Sequence, residues 1–131
     1  MGPDKSKKVK ILVVDDEELI CWSLKQSFEK VEGYSVNCAY TGNDAVQKLI
    51  ESQYDVVITD LNLPDARDLE IVEKIKKLAI DTPVIVISSH LSDPGMDNVK
   101  KQGVIKWINK PFEIEDVLGG VKEAMKYNTQ A

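Results

Sequence analysis

Five short runs of apolar, mostly β-branched residues interrupt an otherwise polar chain: Val9–Val14, Ser35–Tyr40, Val56–Thr59, Pro83–Ser88 and Val104–Asn109. Their composition reads as strands. The first residues of successive runs lie 26, 21, 27 and 21 positions apart, which leaves room for a helix and two loops but excludes hairpins, so the spacing predicts βαβ units. In Ile11-Leu12-Val13-Val14, Val56-Val57-Ile58 and Val84-Ile85-Val86-Ile87 no polar residue alternates with the apolar ones, as expected of strands covered by helices on both faces. The predicted fold is α/β, with a doubly wound parallel sheet.

The intervening segments carry apolar residues at helical period: Ile20, Leu24, Phe28 and Val31, then Ala45, Val46, Leu49 and Ile50, then Ile71, Val72, Ile75, Leu78 and Ala79. Each predicts a helix with one stripe toward the sheet. A last helix places Ile114, Val117, Leu118, Val121 and Met125 on one face, with Gly119-Gly120 expected to weaken its middle. The segment from Asp93 to Gln102 is poorer in helix formers. It is expected to form at most a short, soft helix started by Asp93 and Pro94. Residues 1–8 read as a solvated Lys-rich tail, residues 9–127 as one domain and residues 128–131 as a C-terminal tail.

A length of 131 residues suits one domain with its own core. The net charge of −5 argues against direct binding of nucleic acid. No apolar run approaches the roughly 20 residues of a membrane span, and no secretory leader is visible, so a cytoplasmic location is expected. Cys21 and Cys38 form no CxxC pair and have no nearby histidine to complete a zinc site. They read as small packed apolar residues.

In such a sheet, chemistry gathers at the carboxyl ends of the strands. Asp15-Asp16, Asp60, Ser88 and Lys110 stand at four of these ends. Two unit charges about 4 Å apart repel by about 4 kcal/mol at an effective dielectric of about 20, so clustered carboxylates there require a cation. Magnesium, which accepts one or two carboxylates and leaves positions for phosphoryl oxygens, fits that requirement. Lys110 adds a second positive point and Ser88 a hydroxyl.

The Asp15-Asp16 pair, Asp60, Ser88 and Lys110-Pro111-Phe112, in this order, resemble the receiver domain of two-component response regulators over roughly Val9 to Tyr127. Ile20-Cys21-Trp22-Ser23-Leu24 and Thr59-Asp60-Leu61-Asn62-Leu63-Pro64-Asp65 are similar to the NtrC-like class of enhancer-binding activators. The resemblance implies a flavodoxin-like, CheY-like three-layer sandwich with strand order 2-1-3-4-5 and five helices. It implies Mg2+-dependent phosphoryl transfer from a sensor histidine kinase to Asp60, with Asp16 and Asp60 as direct metal ligands, Asp15 through water and Asn62 through its main-chain carbonyl. Lys110, aimed by a cis bond to Pro111, would pair with the phosphoryl oxygens. Ser88 and Trp107 would form the switch that changes the face of the fourth helix, fifth strand and fifth helix. The further partners implied are an output domain or separate protein, in transcription regulation, with a homodimer as an alternative.

Each residue alone has an ordinary reading: Asp16 as a helix cap, Asp60 as a loop acceptor, Lys110 as a surface lysine, Trp107 as a packed strand aromatic. Trp22 reads as packing or a dimer contact, His90 as an edge of the site, and Glu17 as close enough to tune metal affinity. Asp68 stands where the family usually has glycine, and Val104 where it has alanine. Three alternatives remain open: a pseudo-receiver that binds partners without chemistry, a haloacid-dehalogenase-like phosphatase, and a flavodoxin-like electron carrier. The phosphatase would need an acid where Asn62 stands, and Asp15-Asp16 would repel a flavin phosphate.

Overall fold

Strands without polar alternation must be covered on both sides, and the burial follows that rule. The computed structural model describes residues 8–31, 33–67, 69–89 and 103–129. The chain runs β1 (Val9–Val14), α1 (Glu18–Glu29), β2 (Tyr34–Ala39), α2 (Gly42–Glu51), β3 (Val56–Asp60), β4 (Asn62–Leu63), β5 (Ala66–Arg67), α3 (Leu69–Leu78), β6 (Val84–Ser88), β7 (Val104–Asn109) and α4 (Ile114–Thr129). Five strands form a parallel sheet in the order β2-β1-β3-β6-β7. Counted among these five alone, this is the expected 2-1-3-4-5 order. Every residue of β3 and β6 is buried, whereas the edge strands β2 and β7 are only partly so.

Alternate residues of the central strands serve opposite layers. Ile11, Val13, Ile58, Ile85 and Ile87 pack with Cys21, Leu24 and Phe28 of α1 and with Val117 and Val121 of α4. Leu12, Val14, Val57, Val84 and Val86 pack with Ala45 of α2 and with Ile71, Val72 and Ile75 of α3. The sheet is therefore sandwiched between helices. Four helices are seen among the described residues. The helix expected from Asp93 to Gln102 lies outside the described residues, as do His90 and Asp68.

Several expectations shift locally. The second strand begins at Tyr34 and ends at Ala39, one residue earlier than its apolar run suggests. It starts directly after Gly33, whose φ of 99° suits a residue without a Cβ and lets the chain turn into the strand. Gly119-Gly120 does not interrupt α4, because the helix lies against the sheet there. A Cβ on Gly120 would come within 3.3 Å of Ile85 Cδ1, so the missing side chain permits close approach. Ile50 and Leu78, assigned to core stripes by period, are 64% and 46% exposed at the ends of α2 and α3. Trp22 is 59% exposed on α1 and does not join the core.

The β4 and β5 pair is a two-stranded antiparallel ladder around Pro64 and Asp65, which the strand periodicity does not announce. Asp65 carries this hairpin onto α2. Its carboxylate accepts the main-chain N–H groups of Gly42 at 2.6 Å and Asn43 at 2.9 Å. Thr41 adds the local cap by accepting from the N–H of Asp44 at 3.0 Å. These amides would otherwise lack partners at the helix start, and their donation holds the Asp65 carboxyl below its ordinary range. Asp65→Ala is expected to destabilise the fold by about 1 kcal/mol, the usual cost of a lost helix cap. Urea unfolding at neutral pH, compared with wild type, measures this loss.

Candidate functional site

The carboxyl ends of β1, β3, β6 and β7 open onto one crevice because all four strands run the same way. Asp60 is the last residue of β3, Asp15 follows β1, Ser88 ends β6 and Lys110 follows β7. Residues up to 95 positions apart in sequence thus meet on one edge. Asp15 and Ser88 are 0% and 1% exposed, and Asp60 is 5% exposed.

Lys110 is the hub. Its Nζ donates to Asp60 Oδ2 at 2.8 Å and to Glu17 Oε1 at 3.2 Å. It also lies 2.9 Å from Asp15 Oδ2 as an ion pair. Burial draws the ammonium pKa down, but hydrogen bonds and charge from Asp60 and Asp15 outweigh it and push the group above its ordinary value. The lysine stays charged. Its main-chain N–H donates to the Ser88 carbonyl at 3.0 Å, which ties the loop after β7 to the end of β6. The bond from Lys110 to Pro111 is cis.

The two oxygens of Asp60 have different surroundings. Oδ1 accepts the main-chain N–H groups of Leu61 at 2.7 Å and Asn62 at 3.2 Å, while Oδ2 faces Lys110. Sequence reading missed these two amides, since a main-chain donor leaves no mark in residue identity. Thr59, also fully buried, donates its hydroxyl to the Asp60 carbonyl at 2.8 Å and fixes the strand end.

Asp15 is the least compensated group. Its Oδ1 accepts from the N–H of Glu17 at 2.9 Å, but buried Oδ2 faces only the Lys110 ammonium, 2.9 Å away and shared with Asp60 and Glu17. Burial pushes the Asp15 carboxyl up, and the Glu17 amide and Lys110 pull it only part of the way back. Oxygens of Asp15, Asp16, Glu17 and Asp60 all lie within 4.8 Å of one another. Four carboxylates at that spacing, with one ammonium shared among Asp15, Glu17 and Asp60, suit a hard divalent cation with oxygen ligands. Magnesium therefore fits this donor set.

The remaining candidates lie around this centre. Asn62 is exposed in β4 and reaches the site through its main-chain N–H, which donates to Asp60 Oδ1. Glu17 comes closer than expected, into direct contact with Lys110. Trp107 is half-buried on β7 and packs on the α2 and α3 side of the sheet. A groove of about 600 Å³ runs from Glu17 and Lys110 between α1 and Phe112, with Leu19, Ile20 and Ile114 along it. A separate cavity of about 420 Å³, lined by Tyr54, Leu78 and Thr82 among others, lies at the opposite edge of the sheet and shares none of these residues.

A family model described as the response regulator receiver domain matches residues 11–122. The uncharacterized transcriptional regulatory protein YkoG of Bacillus subtilis (strain 168) is 34% identical over 122 residues, 93% of this chain and 53% of that protein. The chain thus spans about half the length of this relative. Among solved structures, a CheY-like response regulator receiver domain protein from Methanospirillum hungatei JF-1 matches with 28% identity and a TM-score of 0.87, covering 95% of this chain and 100% of its own. The receiver domain of the Francisella response regulator 1452 matches with 27% identity and a TM-score of 0.82, at the same coverage.

The strain at Asp15 gives a stability test. A carboxyl whose folded pKa is raised favours the native state at low pH, and that contribution is lost as pH rises through the folded value. Asp15→Asn keeps an acceptor for the Glu17 amide and leaves Lys110 paired with Asp60 and Glu17. With divalent ions chelated, it is expected to raise stability at neutral pH by about 1 kcal/mol, the lower end of the cost of an unsatisfied buried group. Denaturation across pH should show the gain fading toward the ordinary carboxyl value of 3.8, where the native acid is itself protonated.

Proposed function

The chain belongs to the response regulator receiver domain family of two-component systems, and we propose that Asp60 is its phosphoacceptor, taking a phosphoryl group from the phosphohistidine of a sensor histidine kinase. The observation that carries this reading is the buried contact of Lys110 with both Asp60 and Asp15. Asp60 Oδ1 is occupied by two main-chain donors, which leaves Oδ2 as the attacking atom. A bond forms from Oδ2 to phosphorus as the bond from phosphorus to the histidine nitrogen breaks, and the nitrogen keeps the electron pair. The product is an aspartyl phosphate.

Lys110 turns from the carboxylate to the phosphoryl oxygens and neutralises part of their charge. Phosphoryl transfer depends mainly on positioning and charge stabilisation, so these groups suffice without a separate base. Asp16 and Asp60 directly, Asp15 through water and the Asn62 main-chain carbonyl would hold magnesium, which would supply further positive charge to the phosphoryl group. The groove beside Lys110, with Leu19 73% exposed on its rim, receives the kinase surface that presents the histidine.

A new phosphate adds roughly −1.5 to −2 of charge and three acceptor oxygens. It draws the Ser88 hydroxyl toward it, and Trp107 repacks in response, changing the surface of β7 and α4. The output reads that surface, either as a domain of the same protein or as a separate partner, and the relative named as a transcriptional regulator favours control of transcription. The chain acts as a switch that catalyses only its own phosphorylation and dephosphorylation.

Intact mass after incubation with Mg2+ and a small acyl phosphate is expected to show one added phosphoryl group, absent with chelator and absent in Asp60→Asn. Lys110→Met should slow its formation by about 10²–10³-fold, the cost of removing a preorganised charge at the transition state. A protein left unmodified by several donors and by kinases would be a pseudo-receiver, and steady hydrolysis of phosphate esters would mark a phosphatase. Either result overturns the proposal.

A further inference from the structure

Cys21 and Cys38 are separated by a helix and a turn in sequence, yet the fold brings them together behind the acidic crevice. Cys21 lies in the first turn of α1 and is fully buried. Cys38 sits on the edge strand β2, paired in register with Val13, and is half-buried. Cys38 Sγ lies 3.6 Å from the Cys21 carbonyl oxygen, and both side chains pack in the same apolar cluster between α1 and the sheet. Both are free thiols. Cys21 Sγ also lies 3.4 Å from the carbonyl oxygen of Asp15, so the pair touches the chain that carries the acids.

The two thiols are not equivalent. Cys38 is the reachable one, with Lys25 and Lys48 contributing positive charge around it and Glu29 opposing them. The Cys21 thiol beside it, helped by those lysines, holds the Cys38 pKa below its ordinary value. Cys21 is fully buried, whereas Cys38 is only partly so. This is the arrangement of an attacking thiol with a resolving thiol behind it, in which exposure and positive surroundings select the first sulfur to react.

We propose that Cys21 and Cys38 form a reversible intramolecular disulfide when the protein meets a hydroperoxide. The Cys38 thiolate attacks one peroxide oxygen, the O–O bond breaks, and the departing hydroxide takes a proton and leaves as water. Cys38 is then a sulfenic acid. The Cys21 sulfur attacks the Cys38 sulfur, the S–O bond breaks, and the hydroxide takes the Cys21 proton and leaves as a second water. Two thiols and one hydrogen peroxide thus give one disulfide and two waters, and a dithiol reverses the bridge by exchange. In a reducing compartment such a bond is transient, as befits a sensor rather than a structural staple.

The bridge has a local consequence that rests on the metal reading above. It removes the S–H hydrogen that Cys21 directs at the Asp15 carbonyl, so the Asp15-Asp16 stretch loses a tether to α1. Oxidised protein is expected to bind Mg2+ about two- to threefold more weakly, the effect of one weak hydrogen bond.

Folded protein is treated with excess hydrogen peroxide and compared with Cys38→Ser and Cys21→Ala. Expected are loss of both titratable thiols, a mass decrease of about 2 Da, a joined pair of peptides carrying Cys21 and Cys38, and recovery with dithiothreitol. Cys38→Ser should leave Cys21 unmodified. Oxygen addition at Cys38 without a bridge, disulfide-linked dimers alone, or two intact thiols would each overturn the proposal. Unchanged Mg2+ affinity in bridged protein would overturn the coupling. A reduced protein that takes up no Mg2+ would sink the metal reading instead, since the mass change records the bridge independently.

Discussion

The contact of one lysine with buried acids from two strands is the constraint around which this molecule is arranged. Asp15 and Asp60 are withdrawn from water, and their charges are tolerable only because Lys110 reaches both. The compensation is incomplete, because one ammonium is shared among three acids and burial still holds the Asp15 carboxyl above its ordinary value. An apolar core would have no reason to keep this cluster, since buried charge is costly unless fully paired. The deficit has the sign and the oxygen donors of a cation site.

Parallel topology makes the cluster attainable. Each βαβ unit returns the chain to the same edge, so Asp15, Asp60, Ser88 and Lys110 need only end their strands to converge. The dry interior between the helical layers supplies the low dielectric, and the loops supply donors. The hairpin after β3 is held at both ends, at Asp60 Oδ1 by the amides of Leu61 and Asn62 and at Asp65 by the start of α2. Fixing that loop keeps the Asn62 main chain beside the crevice without using its exposed side chain.

The sheet was legible because the unbroken apolar runs of β1, β3 and β6 permit no other environment, and their spacing excludes hairpins. Strand ends then pointed to Asp15, Asp60, Ser88 and Lys110 by topology alone. Less legible were features fixed by tertiary contact. Ile50 and Leu78 keep the helical period but sit past the edge of the sheet, where nothing covers them. Gly120 reads as a helix weakener, yet its missing side chain seats the helix on Ile85. The cap from Asp65 to α2 crosses more than twenty residues and has no periodic signature. The two cysteines read correctly as packed residues, but only the register of β2 with β1 reveals that they pack on one another.

The division of labour within Asp60 links the fold to its chemistry. Were both oxygens held by main-chain donors, the proposed attack would have to break a bond to the backbone. Here the main chain holds Oδ1, and rigid amides on strand-end residues need no reorganisation during reaction. Oδ2 is held by a flexible lysine, which in the proposed reaction would turn to the phosphoryl group. In the proposed reaction the lysine that restrains Oδ2 would also be the group that the transferred charge draws away, while the backbone that aims Asp60 stays in place.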